Sequence, residues 1–160
     1  MKLRMRWNLW LTACLLAAVG ACLSGCSIRG NTGTGNGDGR TLYLITLNEK
    51  GPYWKPLIDS AKQRAQERGV RLVVKSGQPG DSSRPQKLIE MVQEAIDQKA
   101  DGIAMAALEP EMFDVKAAEA MEAGIKVVTY DTDIRTSSNR LSYIGTNNYE
   151  AGKRLGQQGA

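Results

Sequence analysis

The chain has 160 residues, with 21 Lys and Arg against 17 Asp and Glu, three cysteines and no histidine. It carries no basic tract, which leaves nucleic-acid binding without support. With no histidine, no nucleophile elbow and no nucleotide-binding glycine loop, the sequence also argues against an enzyme.

At the start of the chain, Lys2, Arg4 and Arg6 precede an uncharged stretch, Trp7 to Leu23, that runs into Leu23-Ser24-Gly25-Cys26. Cations, an apolar run and then small residues are the order of a secretory signal, and the run is short for a bilayer crossing. The tetrapeptide resembles the lipobox of bacterial lipoproteins. That resemblance implies cleavage before Cys26 and a diacylglycerol on its sulfur, two acyl chains being enough for durable anchoring. Three segments are expected: a leader over 1–25, the lipidated Cys26 with a linker over 26–39, and a folded part over 40–160. Cys14 and Cys22 leave with the leader, so no disulfide framework remains. Without Lys2, Arg4 and Arg6, 18 basic residues face 17 acidic ones and the mature chain is nearly neutral. Ser27 to Gly39 is rich in Gly, Asn and Thr with no apolar period, the composition of a flexible tether.

From Arg40 onward, short β-branched runs alternate with amphipathic segments. Thr41 to Leu47 reads as a buried strand, and Pro56 to Arg68 as a helix carrying Leu57, Ile58, Ala61 and Ala65 on one face, with Gly69 as its stop. Val70 to Val74 reads as a second strand, and Pro85 opens a helix with a stripe of Leu88, Ile89, Val92 and Ile96 that ends near Lys99. Gly102 to Ala107 is a third strand, followed by a helix from Pro110 to Gly124. Ile125 to Tyr130 is a fourth strand and Leu141 to Ile144 a fifth, before a helix from Tyr149 to Gln158 with Asn147 or Asn148 as cap. This alternation predicts an α/β fold, an open doubly wound parallel sheet covered on both faces, with right-handed crossovers.

Such a sheet places ligand chemistry beyond the carboxyl ends of its strands, where strand order reverses. The loops concerned are 48–54, Leu108-Glu109, Asp131-Thr132-Asp133 and 145–148. Aromatics, amides and carboxylates crowd these loops. A sugar uses that mixture, offering C–H faces to aromatics and hydroxyls to paired donors and acceptors. Metal ligation is the competing use of Asp131 and Asp133. With no histidine and no calcium-loop spacing it has thin support, and no cofactor is expected.

From about Thr41 to Ala160, through GPYW at 51–54, LVVKSGQPGD at 72–81, AGIKVVTYDTD at 123–133 and YIGTNN at 143–148, the sequence resembles the periplasmic sugar-binding proteins of the type I fold. These are the ribose-binding group, which feed ABC transporters. The resemblance implies the N-terminal lobe of that fold, a monosaccharide ligand, a transporter permease as partner and an extracytoplasmic site of action. A sensory or chemotaxis receptor on the same fold is the alternative. It places Tyr53 and Trp54 where paired aromatics pack on the sugar, and Asp131 where an aspartate binds its hydroxyls. Thr146 and Asn147 fall where the hinge leaves the first lobe, Asn147 being equally readable as a helix cap.

Two departures from the family pattern matter. Gly51 replaces an asparagine before the proline, which leaves Asn48 to supply an amide, and Thr132 replaces a ribose-type arginine. Asp133 is read either as a second hydroxyl acceptor or as exposed. Glu109 is a lesser candidate whose alternative is charge compensation at a helix start. Because the family has a second lobe and later segments that complete the first, this chain is expected to be a fragment or truncated product with weak or absent sugar binding by itself.

Overall fold

The computed structural model describes residues 39–159. The expected leader, the lipidation site Cys26 and the linker up to residue 38 lie outside the described residues. The strands are β1 (Thr41–Thr46), β2 (Arg71–Ser76), β3 (Gly102–Met105), β4 (Lys126–Tyr130) and β5 (Ser142–Ile144). They form one sheet in the order β2-β1-β3-β4-β5, every pairing parallel. Strand order reverses between β1 and β3, so the loops leaving those strands flank the switch point of the sheet.

Four helices cross the described region: α1 (Trp54–Glu67), α2 (Arg84–Asp97), α3 (Pro110–Glu122) and α4 (Asn148–Gln158). Pro110 opens α3, and proline stands within the first two positions of α2, where its missing N–H removes no intrahelical bond. One face of the sheet is sealed by α2 and α3. There Tyr43, Ile45, Ile103, Met105 and Val127 meet Leu88, Val92, Ala95, Phe113, Ala117 and Ala120 in the main core. Because side chains alternate along a strand, the intervening residues Leu44, Ala104, Ala106 and Tyr130 face the other way, onto Trp54, Leu57, Ile58 and Ala61 of α1. Beside α1 a cavity of about 330 Å³, lined by Leu42, Ala61, Ala65, Leu72, Ala104 and Val128 among others, lies over that face.

The connection from β4 to β5 contains no α-helix. A short 3-10 turn, Ser137–Asn139, holds it to α3: the Asp114 carboxylate accepts from the Thr136 hydroxyl at 2.6 Å and from the Asn139 amide at 3.0 Å. Arg135 pairs with Glu111 one turn earlier in the same helix. The fifth strand and last helix pack more lightly, with Ile144 66%, Tyr149 77% and Leu155 70% exposed.

Candidate functional site

Helix α1 begins at Trp54, two residues before the proline at which the sequence pattern placed its start. Pro56 then occupies the first turn, where no intrahelical N–H is required. Tyr53 becomes the N-cap residue and makes no capping bond with its side chain. Its hydroxyl instead donates to Oδ1 of Asp131 at 3.2 Å, across 78 residues of sequence. Tyr53 is 55% exposed. Trp54 is half-buried and serves two purposes. Its ring stands edge-on to Tyr53, centroids 4.9 Å apart, and to Tyr130 at 6.3 Å, while it also packs against the second core cluster. Trp54 therefore packs into the core, as one sequence reading has it, while its ring stays beside Tyr53. Tyr130 is buried and donates its hydroxyl to the Ile45 carbonyl at 2.9 Å, tying β4 to β1 beneath the aromatic pair.

Asp131 has φ of +62°, uncommon outside glycine and most easily borne by Asn and Asp. The Thr132 amide donates back to the Tyr130 carbonyl at 2.7 Å. An i→i+2 bond around a residue with positive φ is a γ-turn, rare and strained. It aims the Asp131 carboxylate at Tyr53. Among the described residues no donor reaches Oδ2, so this acceptor oxygen stands at the carboxyl rim of the sheet beside two aromatic rings. The Tyr53 hydroxyl is pushed above the ordinary phenol range, first by desolvation, then by the Asp131 charge and the hydrogen bond to it. Burial raises Tyr130 further. Both tyrosines are therefore neutral donors near neutral pH.

Asp133, read from sequence as a hydroxyl acceptor or an exposed residue, is neither exposed nor open. Arg140 grips it through Nε and Nη2, both at 2.7 Å. Thr129 Oγ1 donates to it at 2.5 Å and the Ile134 amide at 2.9 Å. Burial alone would raise its pKa. The Arg140, Thr129 and Ile134 bonds outweigh that and hold the carboxyl below its usual value. Its role is to fix the loop that carries Asp131, and Arg140 is the residue that sequence reasoning missed. An arginine eight residues before a helix and seven after its partner follows no local pattern.

Asn48 closes its own turn, its Oδ1 accepting from the Lys50 amide at 2.8 Å, and no hydrogen bond joins it to Tyr53 or Asp131. Gly51 has φ of +123°, a backbone state that side-chain-bearing residues adopt only with strain. Asn147 caps α4, its Oδ1 accepting from the Glu150 amide at 3.1 Å, and Thr146 is exposed beside it. Glu109 is the exposed N-cap residue of α3 and makes no side-chain cap. The Thr132 hydroxyl is buried with no partner among the described residues. No cluster of three or more acidic or thiol groups suited to a metal occurs among the described residues.

A doubly wound parallel lobe with aromatic and carboxylate side chains gathered on its carboxyl rim is a small-molecule binding module. The chain belongs to the periplasmic binding protein family, whose domain profile matches residues 42–160. It is similar to the xylose/arabinose-binding protein XylF of Sulfolobus acidocaldarius, with 31% identity over 87 residues, 49% of this chain and 22% of that protein. Among solved structures it is similar to a periplasmic sugar-binding protein of an ABC sugar transporter from Legionella pneumophila. There the identity is 28% and the TM-score 0.66, covering 74% of this chain and 44% of the other. The XylFII molecule gives 32% identity and a TM-score of 0.65, covering 75% of this chain and 43% of the other. XylFII is also solved as a complex with LytSN. The described lobe thus has the type I periplasmic binding protein fold, and these relatives are binding proteins. The chain spans less than half the length of the solved structures it matches.

Proposed function

We propose that this chain is the N-terminal lobe of an extracytoplasmic solute-binding lipoprotein that captures a monosaccharide, a pentose or hexose, and delivers it to an ABC transporter permease. The observation that carries the reading is the Tyr53–Asp131 bond at 3.2 Å with Trp54 alongside. One carboxylate oxygen is occupied by the tyrosine and the other is available to a sugar hydroxyl. The rings supply the apolar surface that a sugar's C–H face needs. Sugar-binding relatives of 28% and 31% identity support the same class of ligand. Asp133 is not assigned to the ligand, because Arg140 engages both of its carboxylate oxygens within the lobe; Asn48 has its Oδ1 engaged by Lys50 and is proposed to offer only its NH₂ to a sugar hydroxyl. Thr146 and Asn147 stand after β5 and are proposed as the first hinge residues. Cys26 is proposed as the lipidation site that tethers the protein to the membrane outside the cytoplasm.

Calorimetric titration of the full-length protein with a panel of pentoses and hexoses tests capture. Saturable binding to one sugar, abolished in Asp131→Ala, is expected. A wild-type protein that binds none of them refutes the assignment. A Cys26→Ala variant is expected to leave the membrane fraction. Sensing is the second reading, favoured by the XylFII–LytSN complex of one relative. Loss of sugar uptake in cells lacking the gene supports delivery, whereas intact uptake with a lost response to the sugar supports sensing.

A further inference from the structure

We propose that Tyr143 is a positioning residue for Asp131, and that β5 and Gly145 form a clamp holding the ligand carboxylate in its strained orientation. This rests on the reading of Asp131 as the sugar-hydroxyl acceptor. Both backbone groups of Asp131 are held from β5. Its amide donates to the Ile144 carbonyl at 3.0 Å, and its carbonyl accepts from the Tyr143 hydroxyl at 2.9 Å. A residue in a γ-turn with φ of +62° keeps that state only while its surroundings over-determine it. Here two hydrogen bonds from one strand do so.

The tyrosine is itself fixed from two sides. A Cβ placed on Gly145 would overlap the Tyr143 hydroxyl and Cζ, so the ring reaches Asp131 only because residue 145 has no side chain. The Arg140 guanidinium carbon lies 5.9 Å from the Tyr143 ring centroid, within the range of a cation–π contact. The same guanidinium grips Asp133. Asp133, Arg140, Tyr143 and Asp131 are therefore linked by contacts in that order, ending on the carboxylate that Tyr53 meets. The chain segment carrying the clamp runs directly into Thr146 and Asn147. A shift of that segment would act on the ligand carboxylate through the Tyr143 hydroxyl.

The test uses the full-length protein, its Tyr143→Phe and Gly145→Ala variants and Asp131→Ala, titrated with xylose and arabinose and compared by amide hydrogen exchange without ligand. Each clamp variant is expected to weaken sugar binding by about threefold to tenfold, the range of one neutral hydrogen bond. Asp131→Ala, in which binding is abolished, sets the floor against which the partial loss in the clamp variants is read. In the ligand-free protein, exchange should accelerate at Asp131 and Thr132 and stay unchanged at Val127 and Thr129. Unchanged exchange at Asp131 and Thr132 in Tyr143→Phe, or acceleration spread over the whole sheet, overturns the clamp. If wild type binds neither sugar, the capture reading fails for these ligands while the exchange pattern alone still decides the clamp.

Discussion

Removing the Asp133 carboxylate tests whether this side chain holds the 131–133 loop or merely decorates it. Four donors converge on it: Arg140 twice, Thr129 and the Ile134 amide. In Asp133→Ala the Arg140 side chain, 18% exposed, keeps its charge without its partner, and the fully buried Thr129 hydroxyl loses its acceptor. A hydrogen bond to a charged group contributes about 1.5–3 kcal/mol and an orphaned buried hydroxyl costs about 1–3 kcal/mol. Since the terms share one carboxylate they do not add fully, and about 3 kcal/mol is expected, a fall in Tm of about 10 °C. Asp133→Asn should cost less than Asp133→Ala. Its oxygen still accepts from Thr129 and Ile134, but its NH₂ faces a guanidinium that can only donate. The carboxyl titrates below its unfolded value, so its contribution is complete above about pH 4 and is lost as pH falls through the lower folded value. Urea unfolding of both variants at neutral pH and on acidification measures this. A loss under about 1 kcal/mol for Asp133→Ala, or an acid dependence identical to wild type, refutes the loop-fixing role.

Phe113→Ala empties the largest fully buried side-chain site, between α3 and the sheet, and should destabilise the protein by about 3–5 kcal/mol in denaturant unfolding. Gly51→Ala at φ +123° should cost about 1–2 kcal/mol, and a neutral result would mean that the loop before α1 adopts another shape. Asp131→Asn removes a charge that raises the Tyr53 phenol. The tyrosine absorbance titration, taken as a difference from Tyr53→Phe, should then move to lower pH, and an unmoved midpoint would place Tyr53 away from Asp131.

The strand and helix alternation was legible because each element carries its own period and punctuation. Pro85 and Pro110 sit at helix starts and Gly69 and Gly124 just beyond helix ends, each within a residue or two of the expected boundary. Tyr53, Trp54 and Asp131 were singled out by motif resemblance together with the rule that ligand loops follow strand ends, and the fold brings Tyr53 and Asp131 into contact. What sequence could not reveal is how the carboxylates divide their work. Asp131 and Asp133 are two residues apart and chemically alike. The γ-turn at Asp131 sends them apart, one toward Tyr53 and the other toward Arg140. Nothing local to Asn139-Arg140-Leu141 announces that pairing, because it depends on where the 3-10 turn over residues 137–139 delivers Arg140 after Asp114 has anchored that turn. The start of α1 shifted for a related reason. Proline marks the first turn of a helix rather than its first residue, and Trp54 is drawn in by packing on Tyr130.

The contacts beneath the rim span 78 residues from Tyr53 to Asp131 and 85 from Tyr130 to Ile45. Contacts so distant in sequence close late in folding, since each needs the parallel strands between them already in place. A chain in which those strands have not yet paired lacks this rim. On the proposed function, a monosaccharide bridging Tyr53 and Asp131 binds the paired sheet and stabilises it by an amount that grows with the logarithm of its concentration. Occupancy would then lower the population of opened chains exposed to proteolysis, so a filled protein should outlast an empty one in an envelope where proteases act.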